Sequence, residues 1–404
     1  MNTIGDQVAG IRRVRSMTQE DLAERAGISV GTVSKLERNE RTSARMATLA
    51  KIARVLGVPT STLLAGDAST AAARREPTYS PLALLSIRRA LTPVTALDGQ
   101  VLSDQVDAGA PTIVRARESL DAADRAYHSN DFGTVLAAAP GLLAETRTLV
   151  STTTGDERLV AHGLASAAYQ LAGRLLIQLR SHDLAYVAIS AARAEADQSG
   201  DLPRRAAAVW PMCWLLLRQA RLSEAEALAV GTSDQVEPRL SQASVRDVEA
   251  WSWLLLEAAA AMARDGRDQD AGQMLDLAAA AAARIDTAGG AGIGTAKVNM
   301  ARVEAAAISG NPQKVLTLTS QMSPGRAVAA SCWQRHRLDV AWAHAELGHW
   351  PDSTAVLIDL RDRAPAWLRH QRYARDIVST IAKGRRRAMS TELAGLAALV
   401  GAGT

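Results

Sequence analysis

The chain is poor in the residues that build metal centres and disulfide scaffolds. It has two cysteines in 404 residues, Cys213 and Cys332. They form no metal-ligand pattern and nothing beside them suggests export, so they are expected to be reduced, packed thiols in a cytoplasmic protein. Histidines 128, 162, 182, 336, 344, 349 and 370 are scattered. His344 and His349 stand five apart, off the same-face spacing of a helical metal pair, and no carboxylate completes a set, so no metal site is expected. The most apolar stretch, "WLLLEAAAAMA" (253–263), is broken by Glu257 and is far too short to span a membrane. The opening "MNTIGDQVAGIRRVR" has no apolar run ahead of a cleavage site, so no secretory signal is expected. "AGGAGIGTAK" (288–297) is glycine-rich but lacks the preceding strand and the lysine placement of a phosphate loop; it reads as a flexible inter-helix loop. The nucleophile-elbow pattern is missing as well. No catalytic residue, cofactor or metal follows from this inventory, and an enzyme is not expected.

What is present points elsewhere. At 48% hydrophobic and 22% charged residues the chain is globular, and its length calls for two or more folding units. Residues 1–66 hold ten Lys/Arg against six Asp/Glu, an excess of +4 that equals the net charge of the entire protein. The basic character therefore belongs to the N-terminal segment, as expected if only that part meets a polyanion.

Ile4, Val8 and Ile11 recur at helical spacing, predicting a first helix over about 3–15. Thr18 stands where an N-cap belongs, and Gly27 where a left-handed residue ends the helix "QEDLAERA". Ser29 caps a third helix over about 30–38. Met46, Leu49, Ile52, Ala53 and Leu56 form the stripe of a fourth, closed by Gly57 and Pro59, and Leu63 and Leu64 suggest a fifth. Two helices joined by a tight glycine turn inside a small basic unit are what a helix-turn-helix requires.

With Gln19, Ala23, Gly27, Val33, Leu36 and the following "LER", residues 4–65 resemble the lambda-repressor/Cro-type DNA-binding domains of the XRE family. The resemblance implies an all-α, five-helix DNA-binding domain over 1–66 that binds double-stranded operator DNA. It places Thr18 and Gln19 near a phosphate at a positive helix end. The family's base-facing positions fall on Val30, Gly31, Ser34 and Lys35, with Ser29, Thr32, Arg38, Asn39 and Arg41 in the same DNA-contacting set. Arg12 and Arg13 are further phosphate candidates or ordinary solvated arginines. Val30 and Gly31 replace the polar pair usual at these positions. Val30 suits a thymine methyl and Lys35 a guanine edge, so the weight of direct reading shifts to Lys35.

Residues 67–79, "DASTAAARREPTY", are small, polar and proline-ended, and read as a linker. From 80 to 404 long Ala/Leu segments are broken by short turns near 130, 182, 221, 266, 310, 348 and 384, spaced about 40 residues apart. This pattern predicts an α-solenoid of six or seven helical hairpins. The small-and-aliphatic openings "LSEAEALAV", "PQKVLTLT" and "PDSTAVLIDL" resemble the second helices of tetratricopeptide repeats (TPR). An XRE domain followed by such an array resembles bacterial regulators that include the peptide-responsive quorum sensors of Gram-positive bacteria and many Ala/Arg-rich actinobacterial proteins. That resemblance implies a homodimer whose repeats bind a peptide or small-molecule effector.

All eight tryptophans lie in the repeat region, against a single phenylalanine in the whole chain. They either fill hairpin cores or line a groove. Trp210 and Trp214 share a helix face, Trp333 and Arg337 another, and Asn299 is a polar amide in an apolar helix that either meets a peptide backbone or faces solvent; these five are the candidate effector-binding residues. "GRRRAM" (384–389) is either a second DNA contact or a solvated turn. The reading is a cytoplasmic, nucleoid-associated transcription regulator. Its rivals are a scaffold whose repeats engage a small protein partner, and an enzyme appended to a DNA reader.

Overall fold

The computed structural model describes residues 3–15, 17–39, 46–58, 63, 84–94, 96–97, 101, 111–287, 293–322, 328–369, 371–384 and 390–402. The linker over 67–79, Arg41, Leu64 and the arginines of "GRRRAM" lie outside them. Among the described residues the protein is helical, with no β-strand.

The N-terminal unit holds α1 (Ile4–Val14), α2 (Gln19–Ala26), α3 (Val30–Glu37) and α4 (Met46–Leu56). Its helix starts follow from side-chain chemistry. Thr3 with Asp6, and Thr18 with Asp21, form reciprocal capping boxes, and the Ser29 hydroxyl accepts from the amide of Thr32. At the end of α2, Gly27 takes φ +61°, its amide donates to the Glu24 carbonyl and that of Ile28 to Ala23. Both orphan carbonyls are thereby satisfied and α3 is turned across α2. Leu22, Val33, Leu36, Leu49, Ile52, Leu56 and Leu63 are fully buried together. Each such side chain contributes about 1.5–3 kcal/mol relative to exposure. Of the fifth helix expected around Leu63 and Leu64, only Leu63 is described, helical and packed into this core.

After α5 (Leu85–Leu91), hairpins stack in series: α6 (Ile113–His128) with α7 (Phe132–Thr152), α8 (Gly155–Gln178) with α9 (His182–Gln198), α11 (Trp210–Arg218) with α12 (Leu222–Gln235), and α13 (Val245–Arg264) with α14 (Asp268–Thr287). The series continues with α15 (Thr295–Ile308) and α16 (Pro312–Ser320), α17 (Ala330–Glu346) and α18 (Trp350–Arg363), and α20 (Arg372–Gly384) and α21 (Thr391–Val400). Short helices α10 (Leu202–Ala207) and α19 (Pro365–Arg369) connect them. The first helix of each pair contacts the first helix of the next, so α6, α8, α11, α13, α15, α17 and α20 form one layer and their partners the other.

Among the described residues, six hairpin turns share one geometry. Asn130, Arg180, Ala220, Gly266, Gly310 and Gly348 all lie in the left-handed region, with φ between 60° and 77°. The amide one residue later donates back to a carbonyl five residues upstream, as in Asp131 to Ala126, Ser181 to Leu176 and His349 to His344. This recurring cap is the physical basis of the breaks seen in the sequence.

The array curls far enough for its two ends to meet. Asn130 Nδ2, at the tip of the first hairpin, donates to Gln334 Oε1 of α17 at 2.5 Å. Phe132 packs against both the core of the first hairpins and the C-terminal core. The N-terminal unit rests on the middle of the array, where Arg54 Nη2 of α4 donates to the Asp265 carbonyl at 3.2 Å and Gly266 faces Ala50.

Candidate nucleic-acid interface and inner groove

The start of α3 is open to solvent. Val30 is 40% exposed, Ser29, Gly31 and Lys35 are exposed, and Thr32 is half-buried. Ser29 and Thr32 hydroxyls hydrogen-bond each other at 2.8 Å, tying the first turn together at its positive end. A Cβ on Gly31 would meet only Ser29 Oγ, at 4.0 Å, so nothing in the fold requires glycine there. Lys35 and Arg38 project from the later turns, with Thr18 exposed and Gln19 half-buried on α2.

Several side chains expected to reach DNA are committed inward. Ser34 is buried, and its Oγ accepts from Arg38 Nη2 at 2.7 Å. Asn39, at φ +58°, accepts from the Thr3 hydroxyl through Oδ1 and donates to Asp6 at 3.4 Å, which fastens the end of α3 to the start of α1. Arg12 is buried rather than facing phosphate: it donates to Glu37 Oε1 at 2.7 Å, to Glu37 Oε2 at 2.8 Å and to the Met17 carbonyl at 2.7 Å. Gln19 Nε2 joins the same carboxylate at 2.7 Å. Burial works against the Glu37 charge, yet the hydrogen bonds from Arg12 and Gln19 and the Arg12 charge hold its carboxyl below the usual range. The glutamate of the "LER" signature is thus the knot that locks α1, α2 and α3. Arg13, Arg15, Arg25 and Lys51 remain exposed around this frame.

An open, positively biased helix end presented by a locked two-helix frame defines a helix-turn-helix DNA-binding domain. Residues 11–63 match the helix-turn-helix family model, and the chain carries this domain, of the XRE type, ahead of its helical array. Over 65 residues it is 42% identical to the uncharacterized HTH-type transcriptional regulator RghRB of Bacillus subtilis, a stretch that is 16% of this chain and 47% of that protein. The chain therefore spans about half the length of that relative. Among solved structures it is similar to PlcR of Bacillus thuringiensis, crystallised with the peptide PapR7 and DNA, at 14% identity and a TM-score of 0.34 over 79% of this chain and 95% of that one.

The five candidate effector residues do not converge. Trp210 and Trp214 are together, 6.4 Å between ring centroids, and Trp210 stacks on Trp253 at 4.8 Å. Arg174 lies over Trp210 and Lys297 over Trp253. Trp333 and Arg337 instead line a separate cleft of about 650 Å³ between α17 and α18, with His344 and Asp352. Asn299 is half-buried and lies two residues from Lys297, which turns it to the far side of α15 from Lys297, Ala301 and Glu304. A single pocket holding all five is therefore replaced by a groove at the tryptophans and a distinct cleft. The turn at Gly348 also brings Asp352 to His344 and His349, with ligand atoms within 4.8 Å of one another. The helical spacing behind the expectation of no metal set missed this fold-back; His349 and Asp352 are exposed, and the cluster is a surface feature.

Sequence reasoning passed over the groove's charged lining. Trp253, Glu257, Arg264, Lys297 and Glu304 share a cavity of about 60 Å³. Arg264 donates to Glu304 at 2.7 Å, and Arg335 lies 3.9 Å from the same carboxylate. Burial pushes the Glu257 carboxyl up to about 8, only partly countered by Lys297 and Arg264, so it is protonated at neutral pH. Glu304 resists the same burial because Arg264, Arg335 and Lys297 surround it, and stays ionised. The available signal was the spacing Trp253–Glu257–Arg264, one helical face in an otherwise Ala/Leu helix.

No helix of the described residues is long and apolar enough to cross a membrane.

Proposed function

We propose that the protein is a sequence-specific transcription regulator, a homodimer that binds double-stranded operator DNA and whose TPR-like array senses a peptide or small-molecule effector. The observation that carries the DNA-binding part is the exposed first turn of α3, held in position by the Arg12–Glu37–Gln19 knot. The DNA face comprises Thr18, Gln19, Ser29, Val30, Gly31, Thr32 and Lys35, with Arg38 and Arg41 on the backbone; Ser34 and Asn39 serve as positioning residues. A single short recognition helix reads few base pairs, which favours two copies on half-sites separated by one helical turn of DNA or a multiple of it. The protein acts in the cytoplasm, on the nucleoid when DNA-bound, with 1–66, 67–79 and 80–404 as reader, linker and sensor.

The contact of α4 with the Asp265–Gly266 turn supports coupling between sensor and reader, because that turn ends α13, which lines the inner groove. Genome-wide mapping of bound sites with and without culture extract tests this reading. Palindromic sites whose occupancy responds to extract are expected; scattered, non-symmetric binding indifferent to extract overturns the dimeric sensor.

A further inference from the structure

The hairpin of α17 and α18 gathers three metal-ligating side chains that sequence spacing alone keeps apart. His344 stands in the last turn of α17, His349 caps the start of α18, and Asp352 lies in the first turn of α18. On one straight helix a five-residue step would put the two imidazoles on different faces. Gly348, at φ +77°, reverses the chain between them, and the His349 amide donates to the His344 carbonyl at 2.9 Å. One ligand atom from each of the three residues then lies within 4.8 Å of the others, and the imidazole centroids are 5.8 Å apart.

Among the described residues none of the three side chains is committed elsewhere. His344 Nδ1 is buried without a hydrogen-bond partner. The His349 side chain makes no capping bond to α18, and the Asp352 carboxylate makes no hydrogen bond or ion pair. A bland alternative is that Asp352 only complements the positive start of α18. That accounts for the carboxylate and for neither histidine, and it leaves a buried ring nitrogen unsatisfied, which folds seldom tolerate. The electrostatics permit a cation here. The negative end of α17 and the positive start of α18 oppose each other, so the carboxylate sets the sign. Arg337 stands seven residues before His344, about 10 Å of helix away, a separation at which solvent ions largely screen its repulsion.

We infer that His344, His349 and Asp352 form a binding site for one divalent transition-metal ion of the zinc class. Two imidazoles and one carboxylate suit zinc and its neighbours, whereas magnesium and calcium prefer oxygen ligands throughout. In a tetrahedral zinc shell the donor atoms stand about 3.4 Å apart. The observed spread therefore closes by rotation of His349 and Asp352, both of which are exposed. Three protein ligands leave a fourth position for water or an exogenous donor. His344 and Asp352 line the 650 Å³ cleft that also holds Trp333 and Arg337, so that open position faces the cleft. The metal site stands independently of DNA reading and of effector sensing.

Calorimetric titration of the full chain, stripped of metal by a chelator, tests the site with zinc and with magnesium as probes. Zinc is expected to bind saturably at one equivalent, and magnesium at least a hundredfold more weakly. His349→Gln and Asp352→Asn should each weaken zinc binding at least tenfold; because both side chains are exposed, helix content and melting without metal should match the wild type. His128→Gln, which alters a histidine outside the cleft, should bind zinc as the wild type does. No saturable zinc binding, magnesium binding as tight as zinc, or undiminished zinc binding in the double variant His349→Gln/Asp352→Asn would overturn the metal site.

Discussion

Arg12 and Glu37, 25 residues apart, meet through a paired set of hydrogen bonds at 2.7 and 2.8 Å, with side chains only 11% and 5% exposed. An ion pair this buried does not by itself stabilise a fold strongly, but removing one partner strands the other charge. Arg12→Ala is expected to destabilise the N-terminal domain by about 3–5 kcal/mol. The domain contains no aromatic residue, so hydrogen exchange at Leu22 and Leu36 amides is the measurement, with tryptophan emission of the array unchanged. Full protection of these amides in the variant would contradict the knot.

The same pair sets an acid dependence. The folded Glu37 carboxyl lies below its ordinary 4.5, so its contribution is fully present above that value and is lost as pH falls through the folded value. Asp6 and Asp21, lowered by bonds from the Thr3 and Thr18 backbone and hydroxyl, act in the same direction. As pH falls below the ordinary carboxyl value of 4.5 the domain should lose protection while Glu37→Gln, already weakened, loses less. Parallel loss in both proteins would remove Glu37 from the account.

Gly5 of α1 lies so close to α3 that a Cβ would stand 2.1 Å from the Leu36 carbonyl oxygen, which is backbone and has no means of yielding alone. Gly5→Ala must therefore push α1 off the recognition helix. A loss of about 1–3 kcal/mol is expected from overpacking, with operator affinity reduced on every sequence. An equally stable Gly5→Ala protein would refute the close approach.

Gly31 is the opposite case, since space surrounds it and a helical glycine costs up to about 1 kcal/mol relative to alanine. Gly31→Ala should stabilise the domain slightly and weaken DNA binding by interposing a methyl group at the surface. Lys35→Ala should change sequence preference, whereas Arg38→Ala weakens all sites alike and lowers the salt dependence by about one phosphate contact. Binding isotherms on randomised operators separate these outcomes, and a uniform loss for Lys35→Ala would remove it from the reading role.

Ala220 adopts φ +60° in a turn where three sister hairpins place glycine. The left-handed region costs a side-chain-bearing residue about 1–2 kcal/mol, and glycine's extra chain entropy returns part of that. Ala220→Gly is expected to stabilise the array by up to about 1 kcal/mol, read from chemical denaturation. A destabilised variant would mean that the methyl group packs in a way that outweighs its backbone strain.

Local chemistry was legible in the sequence and long-range chemistry was not. Thr18, Gly27 and Ser29 announce their caps because the groups they satisfy lie within three or four residues. The hairpin turns near 182, 221, 266, 310 and 348 were visible for the same reason, although only the last three carry glycine at the left-handed position, which Arg180 and Ala220 occupy in the other two. Arg12 reads as a phosphate contact or a solvated arginine, and not as a buried one, because its partner Glu37 belongs to another helix. Asn299 looked like a groove residue because an amide in an apolar helix reveals polarity but not direction. Trp253 and Arg264 went unremarked as a pair because their neighbours on α11, α15 and α17 are brought in by curvature that no local pattern encodes.

That curvature has a consequence at the hydrogen bond between Asn130 and Gln334, which spans 204 residues of sequence. An open stack of hairpins touches only its neighbours and can fray from either end, one unit at a time. Joining the first hairpin to the sixth imposes a closure condition on the pitch: each unit's rotation must sum to a fixed total. Fraying at one end then releases the clasp at the other, and the array melts more as a single cooperative body than as a row of independent ones. Inserting or deleting one hairpin would carry Asn130 and Gln334 past each other, so the number of units is set by geometry as much as by stability.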